Sequence, residues 1–500
     1  MIVNSAEESS SSKLRVPLRY SCCPTEVISS KGSFPSVLTE IPANYDCVIN
    51  FDIPVGYAIR FSLKSEIPTH LLKNVAYVVN AQNKTNHFPK FKISSSYIYA
   101  SAKTASLHIH TSHVPVELLI KYHFIYIFHY KPILTFAGTY HSLNIPFQSY
   151  LLYQAMESPS SMKFAIATPD PEDDPASDVF VYDGPWLKSE CLGTLKDFID
   201  ENRTTSSHDG VSLVYFNGRR KYAGSFVIAN TESSLSHLNN YQLLISGDNH
   251  AQQFSDFSDK ASAITVICPE EGCSSSYIQE LEFLEGTGQV EISTGAPYRI
   301  ENKGLRWPQL NPIMVYRKDN YSSLQSMPQE IPVNMFTITY KQLKISLRVA
   351  AADGYSNWLI PHHGRRITVF SPSVFDGRTP SGFSHKFASL DNQEFKYSIN
   401  LKSMVVAVPG EHFRATVGDG TGVTTDALVK CEDDLLVCTE DYDKTIITGQ
   451  GSVATVKFTA FKYPAAAIVE IDVEKVEEDD GKNGRSGVMG FVNSLVNEIL

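Results

Sequence analysis

The feature that most constrains this chain is a run of alternating residues around one cysteine, Ile41-Pro42-Ala43-Asn44-Tyr45-Asp46-Cys47-Val48-Ile49-Asn50-Phe51-Asp52-Ile53-Pro54-Val55-Gly56-Tyr57. Cys47, Ile49, Phe51 and Ile53 fall on one side of an extended chain, Asn50 and Asp52 on the other. Alternation of that kind buries one face of a strand and leaves the other wet. Pro54-Val55-Gly56 turns the chain, and the alternation resumes with Tyr57, Ile59, Phe61 and Leu63. Two half-buried strands with a short connection are predicted. The same reading puts strands over residues 75–79, 97–99, 107–109, 116–120, 179–182, 211–216, 226–229, 367–370, 404–408 and 453–459. Long helical periodicity is absent almost everywhere. The expectation is an all-β chain of antiparallel β-sandwich modules in tandem, with few helices.

A chain of 500 residues is too long for one ordinary core. Residues 1–21 read as a disordered arm. Residues 22–155 and 156–262 read as two sandwiches, 263–352 and 353–475 as two further β modules, and 476–500 as a charged tail with a short helix. Within this scheme 246–260 is a polar, weakly structured spacer. The stretch 121–150, rich in Tyr, His and Phe, is either a variable insertion or an error in the gene model. The net charge of −11, with Lys and Arg scattered and no basic stripe, argues against nucleic acid as a partner. The apolar stretch 118–136 is interrupted by Lys121, His123, His129 and Lys131, so no membrane span is expected.

The eight cysteines include the close pairs Cys268/Cys273 and Cys431/Cys438 and the neighbours Cys22 and Cys23. An even count with short spacings suggests bridges and an oxidising compartment. Three acceptor triplets, at Asn83, Asn202 and Asn320, agree with a glycoprotein. Residues 1–13 are polar and serine-rich, with no apolar segment of the kind a signal peptide needs. The expectation is a secreted chain whose true start precedes Met1.

The second informative run is Val179-Phe180-Val181-Tyr182-Asp183-Gly184-Pro185-Trp186. Tyr182, Asp183 and Trp186 are candidate binding residues. Trp186 in a loop either anchors a sugar or a protein, or plugs a sandwich end. His108 and His110 face the same way on a strand, as a zinc pair would, with His113, His123 or His129 as a third ligand. The plainer reading, an exposed strand face rich in histidine, is preferred because no orienting carboxylate is identifiable. No Gly-x-Ser-x-Gly elbow and no His-Glu-x-x-His pair occurs, so no catalytic residue is assigned.

The run Cys23-Pro24, Gly32-Ser33-Phe34-Pro35, Ile41 to Cys47, and Phe51-Asp52-Ile53-Pro54-Val55-Gly56 resembles the opening of a CUB domain, specifically the CUB-like family abundant in nematodes. Val181-Tyr182-Asp183-Gly184 resembles the CUB turn after a central strand and implies a second CUB-like unit. Cys268-Pro269 to Cys273 looks like a loop that precedes further β modules in some members. The resemblance implies a jelly-roll type sandwich and extracellular binding of a protein or glycan without catalysis, often in host defence. A Cys23–Cys47 bridge would close a loop of about two dozen residues, worth roughly 3 kcal/mol in the chain-entropy model. Cys22 and Cys191 are then left over as candidates for one another, a connectivity sequence does not establish. Many CUB domains bind calcium through a carboxylate six positions before the Asp of the turn. Ser177 stands there, and Asp178 would point to the other face of a strand. No cofactor is expected, calcium included. The alternatives kept beside this reading are a histidine-dependent metal-binding hydrolase and a structural matrix component.

Overall fold

A computed structural model of the chain describes residues 23–24, 29–65, 75–88, 96–155, 160–169, 175–206, 210–216, 224–247, 250–269, 273–297, 313–319, 321–351, 355–376, 382–419, 422–430, 446–462 and 465–476. They form mostly strands, paired antiparallel with parallel exceptions given below, and layered as sandwiches. The arm 1–21, Cys22, Cys431, Cys438, Asn320 and the tail beyond 476 lie outside the described residues.

The first sandwich is built from Lys31–Ile41 (β1), Asp46–Asp52 (β2), Tyr57–Ser65 (β3), Ala76–Asn80 (β4), Thr85–His87 (β5), Ser96–Ser101 (β6), Thr104–His110 (β7) and Val116–Tyr126 (β8). One sheet runs β1-β8-β3-β6, the other β2-β7-β4-β5. The alternation on β2 is realised as read: Cys47, Ile49 and Phe51 are buried, and Val48, Asn50 and Asp52 are exposed. Phe51 meets Phe61 of β3 edge to face, with ring centroids 5.0 Å apart. Burying one such ring contributes roughly 2 kcal/mol. Between β2 and β3 the backbone N–H of Tyr57 donates to the Pro54 carbonyl at 3.0 Å. Gly56 supplies the φ of +82° that closes this turn.

The second sandwich follows at once: Lys131–Phe136 (β9), Tyr140–Ser142 (β10), Ser149–Gln154 (β11), Met162–Ala167 (β12), Val179–Asp183 (β13), Glu190–Thr194 (β14), Val211–Tyr215 (β15) and Phe226–Thr231 (β16). Its sheets run β14-β13-β15-β11-β9 and β10-β16-β12, with β9 parallel to β11. This corrects two expectations. Residues 121–150, expected to be an insertion or an error, complete β8 and supply β9 and β10. The boundary between the sandwiches lies in 127–130, not at 155. Ile127 and Tyr130 are themselves buried there, so nothing in the hydropathy marks a linker.

A third sandwich is built from strands that lie between 238 and 350, apart from the segments 277–280 and 321–332, and opens earlier than the expected 263. Its first strand, Leu238–Ile245, pairs parallel with Ala261–Ile267. The stretch read as a spacer contains the strand Gln252–Asp256, which pairs with Leu343–Ala350. Alternate polar residues here are the wet face of an outer strand, which explains the misreading.

The last sandwich belongs to a separate compact unit, formed by 277–280, 321–332 and 352–500. Its two four-stranded sheets enclose Phe387, Phe413, Phe458 and Trp358. Arg365 is buried there, and its guanidinium donates to the carbonyls of Met327 and Pro328, each at 2.6 Å.

Candidate functional site

The first two sandwiches are docked on one another. Ala58 and Tyr99 of the first share an apolar cluster with Tyr150, Phe180, Tyr182, Cys191 and Phe216 of the second. Gln82, in the turn between β4 and β5, donates its side-chain amide to the Cys191 carbonyl at 3.0 Å. Lys84 in the same turn pairs with Glu201 at 2.6 Å.

Between these contacts opens a cleft of about 590 Å³. Residues 53–57 and 101–104 of the first sandwich form one wall, and 187–192 with Arg203 of the second form the other. Lys103, Lys188 and Arg203 outnumber Glu190 among its charged walls. Ala102 sits in the β6–β7 turn at φ +117°, a conformation that costs a non-glycine residue on the order of 1–3 kcal/mol.

The structure separates the three candidate binding residues. Tyr182 is 3% exposed, and its hydroxyl is hydrogen-bonded to the Ser101 hydroxyl, so it is floor and joint rather than a free contact. Burial raises its phenol well above the ordinary range. Asp183 accepts from the Ser206 backbone N–H at 3.1 Å and from its hydroxyl, which ties the loop after the helix Leu195–Asp200 to the end of β13. Trp186 is different: it is 55% exposed, one residue before Leu187 of the cleft wall. Its loop is fixed from beneath by Tyr150, whose hydroxyl donates to the Pro185 carbonyl at 3.2 Å, and by Ser189, whose N–H donates to the Trp186 carbonyl at 2.9 Å.

Cys191 is a buried free thiol, which corrects the candidate bridge to Cys22. It stands on β14 opposite Tyr182, inside the apolar cluster between the sandwiches. Burial pushes the thiol up to about 11, so it stays protonated at neutral pH and is a poor nucleophile.

Ser177 closes a 3₁₀ turn, Pro175–Ser177, and β13 starts only at Val179. The period-2 argument against Asp178 therefore does not apply, because neither residue lies on a strand. His108 and His110 do share a face of β7. His108 stacks on Tyr77, with centroids 4.9 Å apart and planes 7° from parallel, and its Nε2 lies 2.9 Å from the Ser106 hydroxyl. His110 Nδ1 is 4.0 Å from Asp46. Among the described residues no group of three or more His, Cys, Asp or Glu is arranged to hold a metal ion.

Cys23 is bonded to Cys47, with Cα atoms 5.5 Å apart, and Cys268 to Cys273, at 6.1 Å. Asn83 and Asn202 are both exposed in turns, at φ +59° and +48°. They flank the Lys84–Glu201 ion pair by one residue on each side. No helix among the described residues is long and apolar enough to cross a membrane.

Two surface groupings escaped the sequence reading. Tyr57, Tyr126, Phe128 and His129 form a chain of ring contacts beside the cleft, at 5.1, 6.2 and 5.5 Å. Lys31, Arg60, Lys64, Lys121 and His123, scattered in sequence, line one groove on the β1-β8-β3 face. The polar positions alternating along β3 and β8 were the available signal for this groove.

The first two β-sandwiches thus form one scaffold with a loop-lined cleft between them. Within it, residues 20–127 match the family model described as "CUB-like domain", so the first sandwich is a CUB-like domain. No curated protein matches the sequence. Among solved structures, the CUB1-EGF-CUB2 domain of human MASP-1/3 is 11% identical, covers 45% of this chain and 100% of its own, and has a TM-score of 0.15. The corresponding rat MASP-1 domains are 10% identical over 47% of this chain and 99% of theirs, with a TM-score of 0.15. The full extracellular region of zebrafish Gpr126/Adgrg6 is 7% identical over 92% of this chain and 53% of its own, with a TM-score of 0.19.

Proposed function

We propose that this chain is a secreted, glycosylated and non-catalytic recognition protein that captures an extracellular protein or glycan beside Trp186. The observation that carries the reading is the exposure of that indole on a braced loop, at the margin of the cleft between two docked sandwiches. An aromatic anchor on a pre-organised loop can contribute about 2 kcal/mol or more to binding. The two disulfides support an oxidising compartment. The outward Asn83 and Asn202 support glycan attachment. A role in host defence is taken from the CUB-like resemblance alone.

The test is Trp186→Ala in the full chain, secreted from cultured animal cells. Capture on glycan and extracellular-protein arrays should fall at least tenfold, with secretion and thermal midpoint unchanged. Lower stability with intact capture would make Trp186 a packing residue and move the binding surface elsewhere.

A further inference from the structure

The outer face of the β1-β8-β3-β6 sheet is divided in two. One end, with Ala58, Tyr99 and Ile125, is covered by the second sandwich. The other end is open and forms a groove of about 640 Å³. Strand register assembles its charge. Lys31 of β1, His123 of β8 and Arg60 of β3 are cross-strand partners in one row, and Ser33, Lys121 and Ser62 form the next. Lys64 stands beyond them, opposite Leu119. Neighbouring strands are about 4.8 Å apart, so the cationic side chains of Lys31 and Arg60, on the two strands flanking β8, stand within roughly 10 Å of one another.

Among the described residues lining the groove none is acidic, although the whole chain carries −11. Lys31, Lys64 and Lys121 have no ion-pair partner among the described carboxylates. Glu40 and Glu117 pair across β1 and β8 outside the lining, at the far end of the face. The positive field is felt by His123, which is driven below its ordinary value by burial first and then by Arg60 and Lys31.

We infer that this groove binds a sulfated polysaccharide. The charge is complementary, and Ser33 and Ser62 flank Lys121 in its row, with the Ser62 hydroxyl available to a sugar and that of Ser33 donating to the Ser36 carbonyl at 3.2 Å while still able to accept. The aromatic rings are already engaged, which disfavours a single-stranded nucleic acid needing free stacking platforms. The Arg60 guanidinium covers Tyr97 at 5.0 Å, and Tyr122 packs edge-on against Phe51 at 5.1 Å. Of the two aliphatic lining residues, Leu63 is buried, which leaves Leu119 as the single aliphatic side chain among them to enter a bilayer.

The inference uses only the extracellular part of the proposed function, and its test needs neither secretion nor Trp186. The purified full chain is titrated with a heparin decasaccharide at 50 and 200 mM salt. Binding should weaken steeply with salt. Lys31→Gln with Lys121→Gln should lose at least tenfold in affinity, and the Lys→Arg pair should retain it. Lys64→Gln, expected to lose several-fold, carries the test if the double variant misfolds. Absent heparin binding would overturn the inference. So would equal binding of desulfated heparin, or of polyglutamate, single-stranded DNA or phosphatidylserine vesicles, and so would unchanged affinity in a folded variant. Failed secretion with heparin binding intact would instead count against the proposed function.

Discussion

Tyr182, at the end of β13 in the second sandwich, is hydrogen-bonded through its hydroxyl to Ser101, at the end of β6 in the first. The bond is buried and lies beneath the cleft, so the residue that looked like a ligand contact joins two sandwiches.

Tyr182→Phe leaves the Ser101 hydroxyl buried without this partner, at a cost of about 1–3 kcal/mol. Thermal unfolding should shift down while capture at Trp186 stays within twofold. A variant as stable as the wild type would show that the bond contributes nothing net.

Cys47→Ser removes the staple on β2. Loss of a native bridge in a small sandwich typically costs about 2–5 kcal/mol. Secretion should collapse, and non-reducing peptide mapping of the wild type should recover Cys23 linked to Cys47. Recovery of both as free thiols would reject the pairing.

The Cys191 thiol should resist iodoacetamide in the folded chain at pH 7.5 and react once the chain unfolds. Burial both covers the sulfur and pushes the thiol up to about 11. Mass spectrometry at native and denaturing urea concentrations reads this directly. Rapid labelling under native conditions would mean that the sandwiches separate readily.

In the last sandwich, His385 packs edge-on to Trp358 at 4.8 Å, and its Nδ1 has no hydrogen-bond partner among the described residues. Burial lowers it to about 4. The unfolded chain, with His near 6.5, then takes up a proton that the folded chain resists. Its share of stability is complete above about pH 6.5 and is lost as pH falls toward 4, to a limit of about 3 kcal/mol. Glu330, 3.8 Å from Nε2, pulls the other way and makes that figure an upper bound. Urea midpoints across this window should fall with acidity, and His385→Gln should flatten the slope. An unchanged slope would assign the acid sensitivity to other groups.

The all-β tandem architecture was legible because strands such as β2 have one dry and one wet face, and the residues spell that out in order. Tyr182 could not be read the same way. Its cover comes from another sandwich, and local alternation carries no record of what docks outside a sheet. The cationic groove was hidden for a related reason. Lys31, Arg60 and His123 are far apart in sequence and meet only through the registers of β1, β3 and β8. Trp186 was visible as an aromatic after a turn, but its exposure depends on the bracing of Pro185 and Ser189, which no pattern encodes.

The short junction at 127–130 bears on how such a module is inherited. The segment a family shares, here residues 20–127, ends where the second sandwich begins to cover Ala58, Tyr99 and Ile125. Cut out at that boundary, it would present these side chains as a sticky apolar patch. The heritable piece and the self-sufficient piece are then different lengths of chain. A shuffled copy of this domain would need either a new neighbour or polar replacements at those positions.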